Sequence, residues 1–291
     1  MTTLDTARES GDARSDDRAA LKNFYRTSEG YLRGLREREK DSFHAEYLRM
    51  VETYIPMPAQ LLDLGCGTGY SSYRLTQHGY NVVGMDISDM FLDGASSRSA
   101  SGLYYTVGDA LELPFADSVY DAVSSFDMIE HVADAERVLK ELDRILRPGG
   151  RFVLVCPNFW SPVIPLKALL NLFKGGPGYL SFYESIPAAL KGIVQTAWQT
   201  LRKIQSSEAR FLYRTPRLEG LVDADCDCVY LPSPVDFRQF FEQFGYRIVR
   251  YNKEGSSRLR KLFATLMPSF TPTVYFVAEK SKEMIRDQSL V

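Results

Sequence analysis

The stretch LLDLGCGTGYSS, residues 61–72, places three glycines within a five-residue window directly after an apolar run. The apolar run 61–64 predicts a buried parallel strand, and the residues from Tyr70 onward are compatible with a helix. Residues 65–69 are therefore predicted to form a strand-to-helix turn. Glycine permits positive φ and has no Cβ to keep a ligand away from the backbone. The turn thus predicts a ligand across the carboxyl end of the strand, while a tight turn without a ligand is the alternative.

Strands and helices alternate on both sides of this turn. We predict strands at 60–64, 81–86, 103–107, 120–126 and 151–156, and helices at 69–78, 88–99 and 134–146. Such alternation is typical of an α/β fold with a doubly wound, mostly parallel sheet. A helix near 234–244 and strands near 246–251 and 273–280 follow later in the chain. The predicted segments are a disordered tail (1–20), an N-terminal helical lid (21–56), a cofactor-binding core (57–158), a helical insertion acting as a substrate cap (159–233), and the end of the sheet with a C-terminal tail (234–291).

The composition is that of an ordinary globular protein, with 291 residues, 45% of them hydrophobic, and a formal net charge of −2. This charge does not favour a nucleic-acid partner. The four cysteines form no disulfide framework at this length, and we expect a reducing, cytoplasmic location. The N-terminus lacks the apolar core of a secretory signal. No apolar run reaches the roughly 18–20 residues that a membrane span needs.

Three acidic residues occupy successive strand ends of the predicted sheet. Asp63 lies in the first strand, Asp86 ends the second, and Asp109 follows the third. In doubly wound sheets an acid at the second position accepts hydrogen bonds from ribose hydroxyls. Each acid could instead cap a turn or a helix. Together, at the strand ends of one sheet, they predict a nucleotide-like ligand.

At this point the sequence resembles the class I S-adenosylmethionine-dependent methyltransferases. The resemblance rests on LLDLGCGTGYSS, VVGMDIS, GDALELPFADSVYDAVSSFDMIEHV and RILRPGGRFVLVCPN, which match the family's motifs in order and spacing. It implies a seven-stranded sheet with an antiparallel last strand, S-adenosylmethionine as cofactor and S-adenosylhomocysteine as product. The family's cofactor contacts carry over to Asp63, Gly65, Cys66 and Gly67 near the methionine moiety, Asp86 and Ile87 at the ribose, Asp109 and Ala110 at the adenine, and Phe126 at the end of the fourth strand.

Three polar residues after the fourth strand are the candidates for catalysis. Asp127, Glu130 and His131 lie on the rim toward which the methyl donor should point. A neutral His131 is the natural proton acceptor near pH 7. The segment resembles the E-x-x-E-H of ubiquinone-biosynthesis O-methyltransferases, in which it could bind a divalent cation, but Asp127 departs from the first glutamate. A base or substrate contact, a metal site and a purely structural role all stay open here, and we predict catalytic roles without a metal.

The remaining histidines and the acidic, thiol-containing stretch DADCDC (223–228) carry weaker signals. His44 is expected on a helix surface, with a position in the cleft as the alternative if that helix is a lid. His78 is expected at a helix end, and DADCDC fits no tetrahedral metal pattern, so we interpret this stretch as a loop. The apolar patches 163–173 and 186–201 could form a cap, a substrate pocket, or a peripheral membrane contact edged by Lys191, Arg202 and Lys203. We favour a cap that shapes the substrate pocket.

The sequence predicts methyl transfer to a small-molecule or lipid-like acceptor, more specifically O-methylation. An N- or C-methyltransferase and an inactive cofactor-binding regulator are the alternatives. A nicotinamide-dependent oxidoreductase is disfavoured because the G-x-G-x-x-G spacing is absent.

Overall fold

The computed structural model of the chain describes residues 14–95, 97–176, 183–218, 227–252, 262–263 and 265–282. Its centre is a seven-stranded sheet in the order β3-β2-β1-β4-β5-β7-β6. The strands are β1 (Gln60–Leu64), β2 (Asn81–Asp86), β3 (Leu103–Val107), β4 (Tyr120–Phe126), β5 (Leu146–Pro157), β6 (Arg247–Tyr251) and β7 (Thr273–Glu279). The first five strands are parallel, and β7 is antiparallel to β5 and β6. The predicted fold class, including the antiparallel last strand, is confirmed.

The strand order reverses next to β1, and this reversal positions the site. β1 pairs with β2 on one side and with β4 on the other, so the chain leaves β1 in one direction and returns to its other edge after β3. A crevice forms outside the carboxyl ends of the strands at such a switch point. The glycine turn that follows β1 lies at this crevice.

Helices cover both faces of the sheet because its strands are apolar on both sides. Leu61 and Leu62 are fully buried in two different clusters, as expected for neighbours that point to opposite faces of a strand. The helices are α1 (Arg14–Thr27), α2 (Glu29–Glu37), α3 (Asp41–Tyr54), α4 (Tyr70–Gln77), α5 (Asp89–Ala95), α6 (Ala135–Ile145), α7 (Val163–Phe173), α8 (Ile186–Gln205) and α9 (Pro234–Gln243). Among the described helices, none is long and apolar enough to cross a membrane.

Three predicted boundaries differ from the structure by more than two residues. The fifth strand begins at Leu146 instead of residue 151. The first helix begins at Arg14, so residues 14–20 are helical although we expected them within the disordered tail; residues 1–13 lie outside the described part of the chain. The predicted helix 88–99 is shorter and ends at Ala95.

The insertion after β5 contains the α7–α8 hairpin, residues 163–205. Its inner side packs into a cluster of its own, which includes Trp160, Ile164, Ala168 and Ala189. Neither α7 nor α8 contributes a side chain to the lining of the cleft described below. The insertion reaches the cleft through Leu218 and Asp227 instead, and its action as a substrate cap stays a prediction.

Lys203, predicted at the exposed edge of a membrane contact, is fully buried. Its ammonium group donates to both carboxylate oxygens of Asp236 on α9, at 2.5 and 2.7 Å, and to the carbonyl of Arg210. Tyr230 donates a further hydrogen bond to Asp236 over 2.8 Å. The side chain turns inward because this carboxylate compensates its charge, so Lys203 joins α8 to the core.

Candidate active site

Three glycines in the left-handed region shape the turn after β1. Gly65, Gly67 and Gly69 have φ of +75°, +54° and +75°, which residues with a side chain rarely adopt. A Cβ added to Gly65 would lie 2.2 Å from the Met128 Cγ, and one added to Gly67 would lie 3.4 Å from Leu35 of α2. The turn needs glycine for its backbone conformation and, at Gly65, also for the close approach of Met128.

The turn opens into a cleft of about 560 Å³ at the carboxyl ends of β1, β2 and β4. A smaller pocket of about 80 Å³ adjoins it. The predicted cofactor residues all line one or both of these cavities: Asp63, Gly65, Cys66, Gly67, Asp86, Ile87 and Phe126 line the cleft, and Asp109 and Ala110 line the smaller pocket together with Gly65, Asp86 and Ile87. The topology thus brings together residues that the sequence separates by more than 60 positions.

Asp63 is surrounded by hydroxyl groups. Its Oδ1 accepts a hydrogen bond from Tyr47 of α3 over 2.6 Å, and its Oδ2 accepts from Ser71 and Ser72 of α4 over 2.7 and 2.6 Å. Burial raises the pKa of Asp63, and these hydroxyl bonds oppose the rise. Asp63 therefore fastens both helices to the end of β1, which is a structural task in addition to the expected cofactor contact.

Asp86 binds the glycine turn directly. Its Oδ2 accepts from the backbone N–H of Gly67 over 2.8 Å, and its Oδ1 accepts from that of Ser88 over 3.0 Å. Burial raises the pKa of Asp86 to about 6, although these backbone bonds favour the charged form. The carboxylate holds the turn in place and still lines the cleft, where its remaining lone pairs can accept from a ligand.

Asp109, in the smaller pocket, interacts with the first helix. Its Oδ2 accepts from the Arg18 guanidinium of α1 at 2.9 and 2.8 Å, and its Oδ1 accepts from the Leu111 N–H over 3.0 Å. Leu21, Met85 and Val132 are among the apolar residues that line this pocket. A flat apolar ring would fit there, and its exocyclic amine would share Asp109 with Arg18.

Helices α1 and α2 cover the cleft with aromatic side chains. Tyr31 stacks on Phe91 with ring centroids 5.8 Å apart, and Tyr25 contacts both rings edge-on. Phe24 also lines the cleft. The space above the glycine turn is therefore aromatic and suits a flat or apolar acceptor.

His44 was expected on the surface, but the structure places it in the cleft. It is buried, with its ring 5.4 Å from that of Phe126 and 4.9 Å from that of Tyr70. Burial lowers the pKa of His44 to about 4. His44 is therefore neutral at physiological pH. The third histidine, His78, pairs with Glu52 over 3.2 Å at the end of α4.

Of the three predicted catalytic residues, Asp127 and His131 line the cleft and Glu130 does not. Asp127 has a φ of +46°, and its N–H donates to the Val155 carbonyl over 2.9 Å, which turns the chain out of β4. Glu130 is fully buried. Its backbone carbonyl accepts from the N–H groups of Val229 and Tyr230 over 2.8 and 3.0 Å. The backbone of Glu130 thus anchors the end of the insertion, and a catalytic role for its side chain stays a prediction.

His131 is paired with Asp227, which sequence reasoning assigned to a loop. Its Nδ1 lies 3.0 Å from Asp227 Oδ2, and the same oxygen accepts from the Tyr25 hydroxyl over 2.6 Å. The Nε2 atom lies 3.9 Å from Glu130 Oε1. Nothing local in the sequence indicates these contacts, although the mixture of carboxylates and thiols in 223–228 drew attention to the segment; residues 223–226 lie outside the described part.

The charge of this pair corrects the prediction of a neutral imidazole. Burial lowers the pKa of His131, but Asp227 together with Tyr31 and Cys228 raises that pKa well above the usual value. Burial raises the pKa of Asp227, but His131 together with the hydrogen bond from Tyr25 lowers that pKa to about 2. At neutral pH the pair is an imidazolium and a carboxylate.

The same pair belongs to a cluster that could hold a metal ion. The ligand atoms of His131, Asp227 and Cys228 all lie within 4.8 Å of one another, and the thiol sulfur is 3.9 Å from His131 Nδ1. A nitrogen, an oxygen and a sulfur ligand with one open position would suit zinc. The cluster differs from the D-x-x-E-H set considered from the sequence, of which it retains only His131.

Comparisons with known proteins agree with this geometry. Residues 62–154 match the methyltransferase domain family. The demethylmenaquinone methyltransferase of Corynebacterium kroppenstedtii is 38% identical over 161 residues, which cover 52% of this chain and 68% of that protein. The chain belongs to the class I S-adenosylmethionine-dependent methyltransferases.

Two further relatives of this methyltransferase show how far the likeness extends. The demethylmenaquinone methyltransferase of Thermobifida fusca is 42% identical over 115 residues, covering 38% of this chain but only 48% of that protein. The alignment thus spans about half of that relative's length. A solved 1,6-didemethyltoxoflavin-N1-methyltransferase from Burkholderia thailandensis has a TM-score of 0.56 at 13% identity and covers 95% of this chain and 94% of its own. At that identity the solved structure shows the fold alone.

The cavities of this methyltransferase fit the family's cofactor. The turn leaves its backbone bare, Asp86 offers a carboxylate beside it, and the smaller pocket is apolar with Asp109 at one side. The polar methionine moiety requires an open backbone such as this turn, the ribose diol requires an acceptor such as the Asp86 carboxylate, and the adenine ring requires an apolar pocket. The sequence-based assignment of the individual contacts stays a prediction.

Asp86→Ala is expected to weaken binding of S-adenosylhomocysteine by about 1.5–3 kcal/mol, the range for a hydrogen bond to a charged group. Because the pKa of Asp86 is about 6, wild-type affinity should also fall as the pH drops below 6 and the carboxylate gains a proton. His44, with a pKa near 4, and His131, whose pKa is well above its usual value, keep their charges across this pH window. Titration calorimetry at several pH values measures both effects.

Asp86→Asn is the matched control, since it keeps an acceptor oxygen but cannot titrate. Its affinity for S-adenosylhomocysteine should stay constant from about pH 5 to pH 7, which brackets the shifted pKa. Unchanged affinity in Asp86→Ala, or a pH dependence that persists in Asp86→Asn, would contradict a cofactor contact by Asp86.

Proposed function

We propose that the chain transfers a methyl group from S-adenosylmethionine to a hydroxyl oxygen of a small aromatic or lipid-like acceptor. The observation that carries this proposal is the His131–Asp227 pair at the cleft that contains the glycine turn, beneath an aromatic cover. An amine acceptor in its neutral form needs no base, whereas a hydroxyl must lose a proton as its oxygen attacks. A positioned histidine–carboxylate pair is thus better explained by a hydroxyl acceptor.

The chain's own residues have two tasks in this reaction. Bound S-adenosylmethionine supplies a methyl carbon activated by a sulfonium. The glycine turn and Asp86 hold the donor, and the aromatic cover positions the acceptor in line with the methyl–sulfur bond. Positioning of this kind can lower a barrier by about 7–11 kcal/mol.

The second task is proton transfer. His131 donates its Nδ1–H to Asp227, which fixes the ring orientation and leaves Nε2 as the atom that exchanges a proton with the acceptor. Because Asp227 raises the pKa of His131, Nε2 must first lose its proton before it can accept one. His131 would take the acceptor's proton in this neutral form and pass it to solvent.

The names of the relatives support a lipid-like or aromatic acceptor. Two are called demethylmenaquinone methyltransferases. A third, the O-methyltransferase resE of Aspergillus sclerotiorum, is 32% identical over 111 residues, covering 34% of this chain and 42% of that protein. A flat acceptor of this kind would lie between Tyr31 and the glycine turn.

The test is a methyl-transfer assay with isotopically labelled S-adenosylmethionine and a series of phenols and hydroquinones with alkyl tails of increasing length. We expect label to be incorporated as a methyl ether, with higher kcat/KM for the longer tails. Incorporation only into amines or at carbon would overturn O-methylation. Tight donor binding without transfer to acceptors in a whole metabolite and lipid extract would indicate a regulatory binding protein.

A further inference from the structure

The α7–α8 hairpin carries a row of exposed apolar side chains on α8 and further ones on α7. On α8, Leu190, Val194 and Trp198 follow one another at four-residue spacing, which places them on one helix face. Val194 is 70% exposed and Trp198 is 62% exposed. On α7, Leu170 and Phe173 are exposed as well, the latter to 67%. Large aromatic and branched side chains at this density on one surface indicate an interaction site.

Positive charges outnumber negative ones on the hairpin. The sequences of α7 and α8 contain no aspartate and no glutamate, and Glu184, directly before α8, is the one acidic residue among the described residues 163–176 and 183–205. Lys167, Lys174, Lys191 and Arg202 are exposed on the two helices or directly after α7. The whole chain nevertheless has a formal net charge of −2. The positive charge beside the apolar row is therefore a local feature, and it is complementary to an anionic surface.

The hairpin is held to the body of the protein from its other side. Lys203 joins α8 to Asp236, and Thr200 donates to the Trp160 carbonyl over 2.7 Å. The inward-facing apolar residues of both helices pack into the cluster around Trp160. The exposed row therefore lies on the opposite side of the hairpin and is not part of this core.

We propose that the α7–α8 hairpin is a membrane-docking surface that lies in the interface of a bilayer rich in anionic lipids. An interfacial helix places its apolar face among the acyl chains and its lysines and arginines among the headgroups, and tryptophan prefers this depth. The described helices cannot cross a bilayer, so the contact is peripheral. The inference rests on the proposed function and extends it, because docking would bring the cleft to an acceptor dissolved in the membrane.

A second copy of the chain is a poorer occupant of this surface. In a two-fold dimer the same patch meets itself, so the four exposed cations of each hairpin would come together with Glu184 as the one acidic residue that the described part of each hairpin supplies. Anionic headgroups would instead place negative charge opposite these cations.

The test measures binding to extruded vesicles of phosphatidylcholine alone and of phosphatidylcholine mixed with phosphatidylglycerol. We expect the wild-type chain to co-float with the anionic vesicles and to bind the neutral ones at least tenfold more weakly, with high salt reducing the difference. The chain has two tryptophans, and Trp160 is buried. The tryptophan emission should therefore shift to the blue on vesicle binding, and Trp198→Phe should lose that shift.

Two sets of variants test the surface itself. Leu190→Ser with Val194→Ser, and separately Lys167→Glu with Lys191→Glu, should each lower vesicle affinity at least tenfold. The matched control is Tyr104→Ser, since Tyr104 is 70% exposed on the edge strand β3; it should bind vesicles like the wild type. Equal binding by all variants, or no binding of the folded wild type to anionic vesicles, would overturn the proposal. A wild-type dimer that the Leu190/Val194 variant dissociates would overturn it in favour of a second copy.

The same variants separate this proposal from the enzymatic one. Methyl transfer to a short-tailed, water-soluble acceptor should be unchanged in both sets because the hairpin does not line the cleft. Loss of transfer only with acceptors presented in vesicles would support docking. Loss of transfer with the soluble acceptor as well would contradict a surface confined to docking.

Discussion

His131→Ala is expected to lower turnover by about 10²–10⁴-fold, the usual contribution of general-base catalysis, while affinity for S-adenosylhomocysteine stays nearly unchanged. The ring borders the cleft, and its Nδ1 is held by Asp227 at 3.0 Å. His44→Ala is a matched control, because His44 lies in the same cleft but its low pKa, about 4, makes it a poor base. Steady-state kinetics on a hydroxyl acceptor and calorimetry on the product give the two quantities. Near-normal turnover of His131→Ala would contradict a role as base.

The pH dependence of turnover follows from the same pair. Asp227 stabilises the imidazolium and raises the pKa of His131 above its usual value, so the neutral form that can accept a proton increases as the pH rises through this higher pKa. Wild-type turnover should therefore climb above neutral pH. Asp227→Asn removes the stabilising charge, and the rise should move to lower pH. A profile that falls with pH would instead mean that the imidazolium is the active form.

A metal at His131, Asp227 and Cys228 would behave differently. Under base catalysis a chelator has no effect, and Cys228→Ser retains most of the turnover because the thiol takes no part in proton transfer. Under metal catalysis, the chelator and the serine substitution would both inactivate the enzyme, and added zinc would restore the chelated wild type. The thiol variant thus distinguishes the two chemistries on the same three side chains.

Lys203→Met is expected to lower the free energy of unfolding by about 3–5 kcal/mol, the cost of leaving one member of a buried ion pair uncompensated. Lys203 and Asp236 are both fully buried, and the ammonium group contacts both carboxylate oxygens. Arg202→Met, at the neighbouring exposed position, should change the stability by no more than about 0.5 kcal/mol. Urea denaturation followed by circular dichroism measures both variants.

The double variant Lys203→Met, Asp236→Leu tests why Lys203→Met lowers the free energy of unfolding. If the loss comes from the buried carboxylate, removing that carboxylate should recover much of the stability, since apolar replacements of buried ion pairs are often tolerated. A Lys203→Met variant that unfolds at the wild-type urea concentration would show that Asp236 is compensated by other groups, such as the Tyr230 hydroxyl.

The fold could be predicted from the sequence because its signals are local. The apolar run before the glycines and the acids at strand ends each depend on a few adjacent residues. The family resemblance supplied the predicted cofactor residues, and parallel strands bring them to one edge of the sheet, where they line the cleft or the smaller pocket. Asp86 and Gly67, for example, are joined by a hydrogen bond across 19 positions, which strand order alone suggests.

The catalytic side of the site could not be predicted in the same way. The contacts of His131 come from α1 and from the end of the insertion, and Cys228 is 97 positions away from it in the chain. No periodicity links such segments. The charge of His131 depends on burial and on its polar neighbours together, and Asp227 favours the imidazolium where an isolated histidine suggested a neutral base. Arg18 beside Asp109 is a similar long-range contact.

The short segment that ends the insertion has a consequence for how this enzyme could diversify. Residues 229 and 230 hydrogen-bond to the Glu130 carbonyl, and Asp227, just before them, holds His131. The partner of His131 thus belongs to the insertion after β5, whereas His131 itself lies within residues 62–154, which match the methyltransferase domain family. Exchanging the insertion for that of a relative would replace this positioning carboxylate along with the outer helices. The acceptor preference and the pKa of His131 would then change together. A chimaera that is meant to change only the surface should therefore keep Asp227–Tyr230.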